Sequence, residues 1–178
     1  MPSRRRRTPA AFRDGEAVES RFLTLIDTLA RHDVRYVVVG GIAAVLHRVV
    51  VSTDDFDLVH DRSPDNVKRL LDALDELGAV YRDDDRGLRP KASHLEGPGN
   101  QLLRSGNLKF DVLGALDPGG DYAALTADSE VLDVGGFPVR VITLEKLAEI
   151  KRSLPRPKDK LMLLHIEATL DERAKGKR

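Results

Sequence analysis

The chain has no cysteine, which excludes disulfides, thiolate metal sites and a thiol nucleophile. Nor does it carry a surplus of charge of either sign: 29 basic residues face 29 acidic ones, and the formal net charge is zero. No global field therefore draws the protein to a polyanion, and any such attraction has to come from local patches. Long apolar runs are missing too. Each is broken by charge well short of the roughly 18 residues a membrane span needs, so no membrane partner is expected. The opening Met1-Pro2-Ser3-Arg4-Arg5-Arg6-Arg7 is basic but is not followed by the apolar stretch of a secretory signal. Together with the lack of cysteine, this leads to the expectation of a cytoplasmic protein.

What is present suits a globular domain. The 178 residues are 41% hydrophobic and 33% charged, enough to bury one core and too apolar for a disordered chain. Residues 1–14 read as a flexible basic arm, 15–173 as a single domain and 174–178 as a basic tail. Within the domain, a core is expected over residues 33–143 and a helical part over 144–173. Val18, Phe22, Leu25, Ile26 and Leu29 recur at helical spacing and predict a helix over residues 16–32. A short strand over 35–39 ends at Gly40-Gly41, with a helix directly after it to His47. A second strand is predicted over 52–59. Ser63-Pro64-Asp65 opens a helix that Gly78 closes. Residues 82–99 are charged and irregular and predict a mobile loop, whose Arg82, Arg86, Arg89 and Lys91 are placed to close over a ligand. Two hairpins are expected, over 101–113 and over 131–142. Two helices follow, over 144–154 and 158–173, separated by Pro155-Arg156-Pro157. Strands and helices mingle, so the fold class is α+β or mixed α/β.

Strand periodicity locates the chemistry. In Asp55-Phe56-Asp57-Leu58, alternate side chains share a face, so Asp55 and Asp57 point together while Phe56 and Leu58 enter the core. Neighbouring carboxylates repel and raise each other's pKa, and a hard cation between them removes that penalty. Asp111 shares a strand face with Lys109 and Leu113 and supplies a third acid, as a two-metal site needs. Gly40-Gly41, between strand and helix, lets the backbone approach a ligand closely.

Taken together, Gly40-Gly41, Thr53-x-Asp55-x-Asp57-Leu58 and Lys109-Phe110-Asp111-Val112-Leu113-Gly114 resemble the nucleotidyltransferase superfamily of DNA polymerase beta type, over about residues 33–165. Within it the chain looks most like the small bacterial AbiEii and MenT toxin group. The resemblance implies an α+β fold, a mixed sheet flanked by helices with further helices at the C-terminus. It also implies a reaction, attack of an acceptor hydroxyl on the α-phosphate of an NTP such as ATP, with pyrophosphate leaving. Asp55, Asp57 and Asp111 would hold two magnesium ions, and Asp111 would also orient or deprotonate the hydroxyl. Gly40, Gly41 and Thr53 would receive the triphosphate. A second stretch, Lys151-Arg152-x-x-x-Arg156-Pro157-Lys158-Asp159, is similar to one whose basic side chains face the triphosphate. It marks Lys151 and Lys158 as nucleotide-binding, with Lys146, Arg156 and Asp159 as further candidates. The chain departs from the pattern at Gly41, where many relatives have serine. It departs again at Val49-Val50-Val51-Ser52, where relatives often carry glycine and arginine; Arg48 is the available substitute. His47 reads as a helix-surface residue, and His94 and His165 earn no role.

RNA is the first expectation for the acceptor, and a small molecule is the alternative. The toxin branch implies RNA, including the 3′ end of tRNA, and a cognate antitoxin as partner; a protein hydroxyl is a further acceptor. Asp83-Asp84-Asp85 and Asp117 would suit a polycationic drug such as an aminoglycoside. A catalytically inactive nucleotide-binding partner protein is the remaining reading, against which all three acids are present. If RNA is the acceptor, removal of residues 1–14 weakens RNA binding and flattens its salt dependence. Binding unchanged across a salt series would rule that contact out.

Overall fold

Three short apolar segments meet in the middle of one sheet: Val37 to Val39, Phe56 to Val59 and Phe110 to Leu113. The computed structural model describes residues 16–176, the side chains of 16–21 excepted. The arm expected over 1–14 and residues 177–178 lie outside the described residues. In chain order the elements are α1 (Glu16–Arg31), β1 (Tyr36–Val39), α2 (Gly40–Leu46), β2 (Asp55–His60), α3 (Pro64–Glu76), β3 (Val80–Tyr81) and α4 (Ala92–Leu95). There follow β4 (Asn100–Ser105), β5 (Leu108–Leu113), α5 (Tyr122–Ala127), β6 (Ser129–Val134), β7 (Phe137–Ile142), α6 (Leu144–Ser153) and α7 (Pro157–Gly176). The strands form a seven-stranded sheet in the order β3-β4-β5-β2-β1-β7-β6. β2 pairs with β5, and β1 with β7, in parallel; the other neighbours are antiparallel. This is the mixed α+β sheet expected, flanked by helices.

β1 is buried along most of its length and reads as a continuous apolar run, whereas β2 and β5 alternate buried apolar residues with Asp55, Asp57, Lys109 and Asp111. On one face Phe22 of α1 meets Phe56 of β2, with ring centroids 5.5 Å apart, and α1 packs on α3. Phe56, Leu58 and Phe110 are fully buried, each stabilising the fold by about 1.5–3 kcal/mol relative to exposure. Alternation turns Asp55 and Asp57 to the other face, where α2 begins and lies over β2 and β7, beside α6.

Several expectations need correcting. β2 starts at Asp55 rather than Ser52. Its partner β1 is only four residues long and ends opposite Asp57, so the segment upstream of Asp55 has no ladder to join. Residues 82–99 are not a free loop. Leu95 in α4 is fully buried. The ring of buried His60 lies 2.8 Å from the Leu95 carbonyl and 2.9 Å from that of Leu113, fixing α4 to the sheet. A neutral ring donates to one of the two. His94, without a role in sequence, sits with its Nδ1 2.7 Å from the Tyr81 hydroxyl. His47 is buried rather than superficial, and its Nε2 donates to the Ile142 carbonyl at 2.7 Å. The basic tail is helical as far as Gly176, because α7 runs on through it. The six-residue α5, capped by Asp121 accepting from Ala124 N, was too short to show a stripe.

Fully buried Asn66 on α3 ties the two central strands to the helix layer. Its Oδ1 accepts from Arg35 N at 2.7 Å, and its Nδ2 donates to the carbonyls of Arg35 and Asp61 at 3.1 and 2.7 Å. Asn66→Ala removes the partner of Arg35 N and that of the Asp61 carbonyl, while the Arg35 carbonyl keeps the bond from Asp61 N at 3.1 Å, and is expected to cost about 3 kcal/mol. Urea unfolding measures it, and an unchanged midpoint would show that the knot contributes nothing.

Candidate active site

The parallel register of β2 and β5 sets Asp57 opposite Asp111 and Asp55 opposite Lys109. Paired residues project from the same face about 4.8 Å apart, so Asp57 and Asp111 become direct neighbours although distant in sequence. On the other side Asp57 pairs with Val39, the residue before Gly40. Gly40 has φ +67°, and a Cβ there would collide with the Asp57 carboxylate. Only glycine meets both demands. A Cβ on Gly41 would lie 2.7 Å from Thr53 Oγ1 and 2.9 Å from Thr53 Cβ. The Thr53 hydroxyl in turn donates to the Asp55 carbonyl at 3.2 Å. Gly40, Gly41, Thr53, Asp55, Asp57 and Asp111 are thus one interlocked group.

Its electrostatics follow from that crowding. Burial, and then the charges of Asp111 and Asp55, push the Asp57 carboxyl up to about 6, against the pull of Lys151 and Arg82. Burial also raises Asp111, with Arg82 opposing and Asp55 adding to the rise. The Arg82 guanidinium bonds Asp111 through Nη2, and its Nη1 lies 3.8 Å from Asp55 Oδ1.

A second cluster stands beside the first. Asp159 is 1% exposed and shared: Lys151 Nζ lies 2.5 Å from Oδ1 and Arg156 Nε 2.5 Å from Oδ2. Burial pushes Asp159 up, but the two cations outweigh it and hold the carboxyl below its usual range. Lys151 is near enough to Asp57 to lower its pKa and so links the two clusters. The remaining candidates are less central. Lys158 is exposed in the first turn of α7. Lys146 turns to Glu149 at 2.9 Å and Asp128 at 3.6 Å. Arg48, the substitute phosphate contact, sits past the far end of α2 in a depression with Glu130, Asp133 and Arg173, away from the acids. Arg82 is among the basic residues expected to close over a ligand, but its pairing with the acids is not legible in the sequence. The signal was present only in the register: Arg82 N donates to the Leu102 carbonyl, and Leu102 pairs with Asp111.

Among the described residues no three acidic or histidine side chains are gathered as a ready-made metal cage. The donor set nonetheless fits a divalent ion. It consists of hard carboxylate oxygens from adjacent strands, and a cation, the guanidinium of Arg82, already stands in among them.

No family model matches the chain, and no curated protein matches it significantly. Solved structures do. The antibiotic-resistance factor ANT(2″)-Ia, in complex with adenylyl-2″-tobramycin, aligns over 89% of this chain and 93% of its own, with TM-score 0.58 and 16% identity. The lincosamide antibiotic adenylyltransferase LnuA, lincomycin-bound, aligns over 85% of this chain and 97% of its own, with TM-score 0.60 and 13% identity. An antigenic nucleotidyltransferase-like protein of Paracoccidioides brasiliensis aligns over 88% and 76%, with TM-score 0.53 and 16% identity. The chain therefore has the nucleotidyltransferase fold.

The raised Asp57 carboxyl has a consequence for stability. The folded state binds its proton more tightly than the unfolded chain, so Asp57 contributes stability below pH 4 that is lost as pH rises towards 6. In metal-free buffer, Asp57→Asn is expected to remove this loss and to be the more stable protein at pH 7 by urea unfolding. Identical pH profiles for the two proteins would show that Asp57 is not perturbed.

Proposed function

We propose that the chain is a divalent-metal-dependent nucleotidyltransferase that moves a nucleoside monophosphate from an NTP, ATP among them, to an acceptor hydroxyl. The observation that carries this reading is the Asp55, Asp57 and Asp111 cluster beside the Gly40-Gly41 turn, within a nucleotidyltransferase fold. Asp55, Asp57 and Asp111 would hold two magnesium ions, which when bound neutralise charge on the phosphates and favour pyrophosphate as leaving group. Asp111 orients the attacking hydroxyl or takes its proton. Gly40, Gly41 and Thr53 leave the backbone bare enough for the triphosphate to approach. Lys151, aimed by Asp159, offers a cation to the phosphate oxygens. Arg156 and the exposed Lys158 extend that positive side along the start of α7.

For the acceptor we favour a small-molecule hydroxyl. Two of the structures that match this chain over most of their own length are an antibiotic-resistance factor carrying an adenylylated tobramycin and a lincosamide adenylyltransferase. Exposed Asp83 and Asp85 lie within three residues of Arg82 in the chain and offer the negative charge a polycationic drug requires. The second reading is transfer to RNA, such as a tRNA 3′ end, by a toxin with a cognate antitoxin. The likeness of Thr53 to Leu58 and of Lys151 to Asp159 to the AbiEii and MenT group supports it, together with the basic run Arg4 to Arg7.

One experiment separates these readings. The protein is incubated with magnesium and each NTP, labelled at the α-phosphate, together with aminoglycosides, lincosamides, or total RNA and protein extract. Label is expected in a drug; label in RNA would instead establish the toxin reading. The Asp55→Ala, Asp57→Ala double variant is expected to lose at least about a thousandfold in rate, as removal of several kcal/mol of charge stabilisation requires. No transfer, together with no magnesium-dependent NTP binding by calorimetry, would sink the enzyme reading.

A further inference from the structure

The segment between β3 and β4 carries several basic side chains, and they do different things. Arg86 pairs with Asp84 at 2.9 Å, and Arg89 with Asp75 at 3.6 Å. Arg82 instead crosses the sheet surface. Its backbone N–H donates to Leu102 of β4 at 3.0 Å, two strand positions from Asp57, since Leu102 pairs with Asp111 and Asp111 with Asp57. The side chain spans that distance, bonds Asp111 and stands 3.8 Å from Asp55. It is 17% exposed, and its Nε is buried without a hydrogen-bond partner.

We propose that Arg82 is an internal counter-ion that occupies the acid cluster until a divalent cation displaces it, so that metal binding is an exchange with this guanidinium. The proposal rests on the metal-dependent reading above and adds a residue that opposes the metal. Two observations and one electrostatic constraint support it. The guanidinium takes the carboxylate oxygens of Asp111 and approaches those of Asp55, the atoms a hard cation would need. Two cations cannot share those oxygens without strong mutual repulsion. Finally, Arg82 satisfies the acids better than it satisfies itself. Its orphaned Nε carries a desolvation penalty that withdrawal into solvent would relieve.

A purely structural Arg82, holding the carboxylates in place for the metal, predicts the opposite sign of effect. The test is therefore the affinity of the whole chain for Mn²⁺ alone, without nucleotide, followed by the electron-spin signal of free Mn²⁺. Wild type is compared with Arg82→Gln, Arg82→Lys and Asp55→Ala. Arg82→Gln is expected to bind Mn²⁺ about ten- to hundredfold more tightly than wild type, the range for losing a competing charge-assisted hydrogen bond. Arg82→Lys, a shorter point charge that keeps a cation in reach, is expected to lie between them and serves if Arg82→Gln does not fold. Asp55→Ala is expected to bind weakly. The metal-free melting temperature of Arg82→Gln should fall below wild type, and its rise on saturation with Mn²⁺ should be the larger. Equal Mn²⁺ affinity in wild type and Arg82 variants would overturn the exchange and leave the metal site standing. Weaker binding by the Arg82 variants would assign Arg82 a positioning role instead and also overturn it. No saturable Mn²⁺ binding by any of the proteins would overturn both this inference and the metal-dependent reading beneath it.

Discussion

Two carboxylates one strand spacing apart on a half-buried surface repel each other, and much of the local architecture answers that repulsion. Asp57 and Asp111 are set side by side by the parallel register of β2 and β5, with Asp55 two residues away on the same face. Nothing in a β-ladder can relax such a pair sideways, because both strands are paired on either flank. The strain is met instead by charge. Arg82 comes from the β3 side, Lys151 lowers the pKa of Asp57 from the α6 side, and the carboxyls that remain crowded shift towards their protonated forms. Gly40 answers the same constraint sterically, since any side chain there would displace the carboxylate of Asp57.

The part of this that sequence reveals is the part written in local periodicity. Phe56 and Leu58 alternate with Asp55 and Asp57, and that alternation alone predicts which side chains are buried and which share a face. The helical stripes of α1 and α3 and the glycine turn of the β6–β7 hairpin are equally local. What escaped was set by tertiary pairing. The true start of β2 depends on the shortness of β1, a fact that Val49 to Thr53 do not carry. The segment 82–99 looks like loop because its ordering rests on scattered tertiary partners, among them buried Leu95, whose carbonyl meets the ring of His60 from β2. The encounter of Arg82 with Asp111 follows from which residue pairs with Leu102, a matter of register that composition cannot express. His47 is polar and reads as a surface residue, whereas the carbonyl of Ile142 gives its ring a buried partner.

The likeness to solved nucleotidyltransferases is a likeness of fold, at 13 to 17% identity. Fold and acceptor are separable properties. The sheet fixes where three acids and a glycine turn stand, and that geometry by itself names no acceptor. On the proposed reading, acceptor choice would reside in what surrounds the acids, chiefly the charged stretch after β3 and the helices α6 and α7. There, acidic and basic side chains alternate closely enough for either a polycation or a polyanion to find partners.

The pairing of β2 with β5 also has a kinetic side. The strands are separated in the chain by α3, β3, α4 and β4, so their contact closes a long loop, an entropy cost met before the contact brings any return. In the unfolded chain Asp57 and Asp111 are strangers, and their mutual repulsion is felt only once that loop has closed. The repulsion within the acid cluster is therefore a cost that the folded chain carries and the unfolded chain does not, and it comes with the pairing of β2 and β5 itself.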